Sequence, residues 1–421
     1  MSKIKVFKTK YKGEIIYTLS NYTTPVITII TNTISAAYLD PKDMGAIQTV
    51  MIIIPYFAFL HFGVFNGLNR NLALYKAQEN HDKVQELVNA SYTVSLINSL
   101  IGFLIGLFYL SYYLLNHSSP VHLFASLLLI LNLVLNPIAT HYDVTYRSGQ
   151  NFKTLGKITF FENMLFACTN LLPIWIGYLG KIIANGIKII ARFSFRFFTR
   201  PYKSTKFGAK TEIFELAKVG FPLLIGGYLW GIIMVCDQTM IASILGEESL
   251  GLYALSTFMM SGMMVIPTSL NTLLYPKAAA QYGLTKDNRA LRSFYWKALL
   301  VNILVLGPLC GLLYFILEPM TEFLLPKYLP GVSAAKINLL TCLTFISNGP
   351  SVIIGVVRKN TPLLIVYIIA LFLIWSIVYF MPKNDFSIEK IAWIRFIISC
   401  CISIFTLIYS YYLTNKNNFA L

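Results

Sequence analysis

Asp237 is the residue whose type and position point most directly to chemistry. It lies within the apolar stretch MVCDQTMI, and an ionisable side chain inside such a stretch is costly unless it is paired or functional. A buried carboxyl group can gain and lose a proton, so Asp237 is a candidate site for a proton or a cation. A hydrogen bond between helices, or an ion pair with a basic residue, would also explain its position.

A second candidate group is a row of basic residues at four-residue intervals: Lys188, Arg192, Arg196 and Arg200. We call this row the basic stripe, since on a helix these positions share one face. If the helix crosses a membrane, each basic side chain costs about 2.5–3.5 kcal/mol on insertion scales. We therefore predict that the stripe faces a wet cavity and offers positive charge to a phosphate-bearing ligand. A basic amphipathic helix on the cytoplasmic surface is the alternative.

Arg70 and Lys297 are further candidates for binding phosphate, because each lies beside a predicted cytoplasmic loop. The usual accumulation of basic residues in such loops would explain both positions as well. The sequence contains no Walker-type Gly-Lys-Ser/Thr loop for a nucleotide. None of its five histidines and six cysteines shows metal-ligand spacing. We predict no metal, no cofactor and no enzymatic activity.

Membrane-spanning helices must position these residues. The chain is 56% hydrophobic and 12% charged, whereas a soluble domain has roughly 25% charged residues. A helix needs about 20 apolar residues to cross the hydrocarbon core, and the apolar runs do not alternate as barrel strands would. Segment 182–198, which carries the basic stripe, is a twelfth and less clear candidate. The eleven clear candidates are 15–39, 45–66, 88–115, 122–142, 157–180, 219–245, 250–275, 294–317, 336–356, 362–381 and 391–413.

The distribution of Lys and Arg predicts the orientation of these helices. With twelve crossings and a cytoplasmic amino terminus, most of the 34 basic residues fall on the cytoplasmic side, as the positive-inside rule requires. We therefore predict that both termini are cytoplasmic. The same rule accounts for the net charge of +16, so no nucleic-acid partner is expected.

A weak internal repeat predicts two related halves. LDPKDMGAIQTV (39–50) and LGEESLGLYALS (245–256) each combine a helix end, an acidic turn and a glycine, Gly45 or Gly251, that opens the next helix. Such parallel repeats are common in transporters. The predicted fold is all-α and integral to the membrane, with about twelve helices in two pseudo-symmetric six-helix bundles around a central cavity. The predicted parts are a first bundle (1–200), a cytoplasmic linker (201–218) and a second half (219–421) whose spans end at 413.

The stretch Val219–Phe258 resembles the seventh and eighth helices of Wzx-type O-antigen flippases. These belong to the polysaccharide transporter family of the multidrug/oligosaccharidyl-lipid/polysaccharide exporter superfamily. LDPKDMG, the stretch through Arg70, and LLPKYLPGVSAAKINLL also resemble the family. The matching residues in the first stretch are Gly220, Pro222, Asp237, Gly246, Gly251 and Tyr253.

This resemblance implies a central, often cationic cavity between two six-helix bundles. It implies that the protein moves undecaprenyl-diphosphate-linked repeat units to the outer leaflet of a bacterial inner membrane, within O-antigen and lipopolysaccharide biosynthesis. The implied partners are the lipid-linked oligosaccharide, membrane lipid and other polysaccharide-assembly proteins. The sixth predicted helix, 182–198, departs from the family pattern. In the family this helix is normally apolar and uncharged, whereas here it carries the basic stripe.

Two other functions remain as alternatives. A drug or metabolite antiporter of the same superfamily commonly carries a carboxylate in its first helix, and 15–39 contains none. A polysaccharide polymerase usually needs a large extracytoplasmic loop to hold its reaction. The longest predicted outside loops are short: 116–121, 318–335 and 382–390.

Overall fold

The computed structural model describes residues 27, 29–204, 206–382 and 385–415, with only the backbone of 272, 273, 276 and 280. Every regular element in this part of the chain is a helix. In the first half these are α1 (29–37), α2 (Pro41–Met51), α3 (Ile53–Phe57), α4 (Val64–Ala77), α5 (His81–Leu115), α6 (Pro120–Ser148), α7 (Phe152–Thr169) and α8 (Pro173–Thr199). In the second half they are α9 (Lys210–Ile244), α10 (Glu247–Leu252), α11 (Ala254–Thr285), α12 (Arg292–Leu324), α13 (Val332–Leu343), α14 (Asn348–Val357), α15 (Thr361–Phe380) and α16 (Ile388–Asn415). Short 3₁₀ helices cover Ala58–His61, Asn288–Leu291, Pro326–Gly331 and Thr344–Ser347.

Ten segments of the described chain are long and apolar enough to cross a membrane. Helix α7 is not among them, because Lys153, Lys157 and Glu162 place three charges in its 18 residues. Most of the predicted first span, 15–39, lies outside the described residues. The prediction of an all-α integral membrane protein is confirmed.

The predicted boundary between the fifth and sixth spans was wrong. The prediction ran the fifth span over 157–180, whereas α7 ends at Thr169 and α8 begins at Pro173. Hydropathy marks this turn poorly, because two of its three residues, Leu171 and Leu172, are apolar and Asn170 is its one polar residue. Pro173 marks it instead, since proline lacks the N–H that an interior helical position would use and suits the first turn. Three residues of the basic stripe, Lys188, Arg192 and Arg196, thus lie in the second half of a candidate span, Pro173–Thr199, whose backbone is kinked at Ile176 and Gly177, and Arg200 follows its last residue.

The second predicted span, 45–66, is interrupted rather than continuous. After the 3₁₀ turn Ala58–His61, Phe62 and Gly63 both have positive φ, and α4 starts at Val64. Gly63 packs directly against Gly220 near the start of α9. A Cβ atom added to Gly63 would lie 2.3 Å from the Gly220 carbonyl carbon, so a larger residue at this crossing would separate the two backbones.

The described chain divides into two compact units. Residues up to Leu39 and from Ala46 to Ile232 form the first, while Asp40–Gly45 and Ile233–Leu421 form the second, with the boundary inside α9. In the first unit α4, α5 and α6 enclose an apolar core. In the second, parts of α11, α12, α14 and α16 do the same.

Asp40–Gly45 of the first repeat motif packs against α10 of the second motif inside the second unit. A Cβ atom on Gly45 would lie 1.7 Å from the Glu247 carbonyl oxygen, and one on Gly251 would lie 1.7 Å from the Pro41 oxygen. Each glycine therefore permits close backbone contact with the other motif. Gly45 and Gly251, the glycines of the two repeat motifs, thus each lie at a close contact between α2 and α10.

Candidate functional site

A polar cavity of about 340 Å³ lies among helices of the first unit. We call it the polar cavity. Its volume is at the lower end of the range of roughly 300–1,000 Å³ that is typical of small-ligand sites. Its polar lining residues are Asn132 and Asn136 from α6, Glu162 from α7, and Asn185, Lys188 and Arg192 from α8.

Helical spacing explains why these side chains meet. Asn132 and Asn136 are four residues apart on α6, and Lys188 and Arg192 are four apart on α8, so each pair occupies one face of its helix. Two of the predicted phosphate-binding residues, Lys188 and Arg192, thus line the same cavity.

Arg196, the third predicted binding residue of the stripe, is held by two carboxylates. Its Nε donates to Asp143 Oδ1 at 2.5 Å, and its Nη1 donates to Glu162 Oε2 at 2.7 Å. The Arg196 side chain is only 5% exposed and does not line the polar cavity. Buried charges need such compensation, because removing either partner leaves an unpaired charge. This pairing favours a positioning role for Arg196 over direct contact with a ligand.

Asp143 also holds Arg192. Arg192 Nη2 donates to Asp143 Oδ2 at 2.8 Å, while Nη1 donates to Asn136 Oδ1, also at 2.8 Å. The Arg192 side chain remains 33% exposed and lines the polar cavity. Asp143 was absent from the sequence-based candidates, because it lies one residue beyond the predicted end of its span at 142. A carboxylate at the end of a span, in a chain with a basic stripe, was the signal that could have identified it.

Lys188 lines the polar cavity together with Glu162. Within the described residues Lys188 makes no ion pair, and its ammonium group lies 4.0 Å from the centroid of the Phe166 ring. In the same part of the chain, Arg192 and Arg196 pair with Asp143 and Glu162. Arg200, at the end of the stripe, instead stacks on Phe197 with 4.1 Å between guanidinium and ring centroid.

Arg70 and Lys297 lie apart from the polar cavity. Arg70 is exposed on α4 and does not line the cavity, and Lys297 is exposed on α12 in the second unit. Neither makes an ion pair within the described residues. Their roles in phosphate binding stay predictions.

Asp237 is buried in a polar cluster of the second unit. It forms an ion pair with Arg395 of α16, and Tyr253 donates its hydroxyl hydrogen to Asp237 Oδ2 at 2.6 Å. Asn338 of α13 donates to the Tyr253 hydroxyl at 2.9 Å. Asp237 is 1% exposed and Arg395 is 5% exposed. The partner of Asp237 is thus Arg395, which lies near the start of the last predicted span, 391–413.

This cluster limits the chemistry available to Asp237. A proton or cation that binds its carboxylate must compete with the Arg395 guanidinium. Two atoms of the pair, Asp237 Oδ1 and Arg395 Nε, have no hydrogen-bond partner in the described part of the chain. The pair is therefore incompletely satisfied, a state that is costly in a buried site.

The fold resembles that of several solved membrane transporters. An inward-facing multidrug resistance MATE family transporter of the MOP superfamily shares 10% identity at a TM-score of 0.65, covering 94% of this chain and 98% of the other. Its outward-facing counterpart shares 11% at 0.66, covering 96% of each chain. A MOP superfamily transporter from Pyrococcus furiosus, whose reversed pocket polarity is said to suggest a different function, shares 11% at 0.67, covering 96% and 97%. The fold is that of the MOP superfamily transporters.

The family follows from the sequence match. Residues 11–280, more than half of the chain, match the family described as "Polysaccharide biosynthesis protein", and the protein belongs to that family. No curated protein matches the chain. Family and fold together support a membrane transporter associated with polysaccharide biosynthesis.

Proposed function

We propose that the protein is a flippase for undecaprenyl-diphosphate-linked oligosaccharide repeat units. It moves them by alternating access from the cytoplasmic to the outer leaflet of a bacterial inner membrane, with both of its termini in the cytoplasm. Its product feeds O-antigen and lipopolysaccharide assembly, alongside other polysaccharide-assembly proteins.

The polar cavity is the observation that carries this proposal. A sugar hydroxyl that enters hydrocarbon without a hydrogen-bond partner costs several kcal/mol. Three asparagine side chains, Asn132, Asn136 and Asn185, line the cavity, and each amide can both donate and accept. The Asn132 Oδ1 atom is buried and has no hydrogen-bond partner within the described residues.

The basic side chains of the cavity suit the anionic part of the same substrate. Phosphate oxygens are strong acceptors, and hydrogen bonds from charged donors are roughly twice as strong as neutral ones. Lys188 supplies an ammonium group that makes no ion pair within the described residues, and the partly exposed Arg192 side chain supplies a guanidinium group. Asp143 and Glu162 orient the basic stripe without cancelling its charge completely.

Deletion of the gene in its host tests the proposal. We expect lipid-linked repeat units to accumulate in the cytoplasmic leaflet, with loss of surface polysaccharide. A polymerase defect would instead leave single units exported to the outer leaflet. Normal surface polysaccharide with a raised drug sensitivity would contradict the proposal and favour the antiporter function.

A further inference from the structure

A second cavity, of about 610 Å³, opens between α7 and α8 in the first unit. We call it the apolar groove, because nearly all of its surface comes from carbon-rich side chains. Its polar groups lie near the amino end of α7 and the carboxyl end of α8. The groove is lined by Thr154, Lys157, Ile158, Phe161, Met164, Leu165, Cys168, Phe195 and Thr199.

The same two helices separate this groove from the polar cavity. On α7, Glu162 lines the polar cavity, whereas Phe161 and Leu165 line the apolar groove. On α8, Arg192 faces the polar cavity and Phe195 faces the groove. A polar site and an apolar site therefore lie side by side, as a ligand with a polar head and an apolar tail requires.

Lys157 supplies charge complementarity at one end of the groove. It is exposed and makes no ion pair or side-chain hydrogen bond within the described residues. Thr154 lies at the same end, whereas the Thr199 hydroxyl group already donates to the Phe195 carbonyl oxygen at 2.6 Å. This end is on the predicted cytoplasmic side, so a phosphate at the inner membrane surface would find the Lys157 ammonium group there.

The length of the groove fits one leaflet. Lys157 and Cys168 lie on one helix, about 16 Å apart at the usual rise per residue. Half of a hydrocarbon core of about 30 Å is roughly the same distance. A chain seated in the groove would thus extend from the headgroup region to near the middle of the bilayer.

We infer that the apolar groove holds the isoprenoid tail of the lipid-linked substrate as it docks from the cytoplasmic leaflet, with its phosphate beside Lys157 before the headgroup reaches Lys188 and Arg192 in the polar cavity. This inference rests on the proposed function and names the site for the part of the substrate that stays outside the polar cavity. Ordinary phospholipid acyl chains are the competing occupant, which the test must distinguish.

Native cysteines provide the test. Cys168 and Cys401 are both exposed, and Cys401 lies in α16 of the second unit. Two full-length variants are needed, one that retains only Cys168 and one that retains only Cys401. Each is placed in nanodiscs that contain undecaprenyl phosphate, undecaprenol or phosphatidic acid. The measurement is the rate of labelling by a membrane-permeant maleimide. With undecaprenyl phosphate at about ten times its Kd, labelling of Cys168 should fall roughly tenfold, and labelling of Cys401 should not change.

A charge variant tests the phosphate contact. In K157Q, half-protection of Cys168 should need several-fold more undecaprenyl phosphate, whereas K157R should behave like the parent protein and protection by undecaprenol should not change. Equal protection by phosphatidic acid, equal protection of Cys401, or no protection would overturn the inference. If Cys168 is protected but the deletion strain exports polysaccharide normally, the proposed function is wrong and the lipid site stands. If the deletion strain has an export defect but Cys168 is not protected, only the inference about the apolar groove is wrong.

Discussion

Arg196 Nε lies 2.5 Å from Asp143 Oδ1, and this contact joins α8 to α6 inside the first unit. The same aspartate accepts a hydrogen bond from Arg192 through its other oxygen. One carboxylate therefore positions two residues of the basic stripe. It lowers the charge of the site and fixes the side chains that remain available to a ligand.

We expect D143N to destabilise the protein by about 3–5 kcal/mol, because it leaves two guanidinium groups with one carboxylate between them. Thermal unfolding of the purified protein in detergent measures this loss. The exposed Glu322 provides a control, since E322Q should change stability by no more than about 0.5 kcal/mol. Equal stability of D143N and E322Q would show that the Asp143 contacts do not hold the fold.

Lys188 should matter for transport and not for folding. Because it has no ion pair in the described part of the chain, K188Q leaves no carboxylate unpaired. We expect an unchanged unfolding temperature and at least about a tenfold loss of export, since one lost charged hydrogen bond is worth roughly 1.5–3 kcal/mol. Export is measured as surface polysaccharide in the complemented deletion strain. K188R should retain part of the activity, and K210Q, at an exposed position on α9, is the matched control. Full export by K188Q would contradict a substrate contact at Lys188.

The Asp237–Arg395 pair should behave as a coupled unit in stability measurements. D237N leaves the Arg395 guanidinium buried without a carboxylate, so we expect a loss of about 3–5 kcal/mol. The double variant D237N/R395Q removes both charges and should recover part of this loss. A double-mutant cycle by thermal unfolding measures the coupling, expected at about 0.5–3 kcal/mol. Additive effects of the two single changes would show that the pair contributes nothing as a pair.

The same double variant tests whether Asp237 couples transport to an ion gradient. We predict that D237N/R395Q, if folded, moves substrate at a rate that no longer responds to the gradient. Reconstituted vesicles with and without an ionophore provide the comparison. An unchanged response to gradient collapse would exclude Asp237 as the coupling site.

Gly251 should tolerate no side chain. A Cβ atom there would lie 1.7 Å from the Pro41 carbonyl oxygen, whereas one on Gly307 would have no neighbour within 4 Å. We expect G251A to cost at least about 1–3 kcal/mol through overpacking, while G307A should be neutral or slightly stabilising, since alanine favours helix. The measurement is the unfolding temperature of each variant. An equal change in unfolding temperature for G251A and G307A would contradict the close backbone contact at Gly251.

The sequence predicted the helices much better than the contacts between charged residues. Length and apolarity identify α5, α6 or α15 directly, because lipid leaves the backbone few other structures. The same criterion missed the turn before Pro173, because Leu171 and Leu172 before it and Ile174 after it are apolar. Periodicity placed Lys188 and Arg192 on one face, but their partner Asp143 lies on another helix, about 50 positions away in sequence. The pairing of Asp237 with Arg395 spans an even longer separation, so only the folded arrangement reveals it.

The two ion pairs of Arg196 also restrain the helices that carry them. Because Asp143 belongs to α6 and Glu162 to α7, one side chain of α8 ties three helices together. A motion that spread these helices apart would break charged hydrogen bonds in a poorly solvated place, where little water could replace them. The junction at Phe62 and Gly63 is held differently, by backbone packing of Gly63 against Gly220. The walls of the polar cavity are therefore a stiff part of the first unit, and bending at the junction before α4 would leave their charged contacts intact.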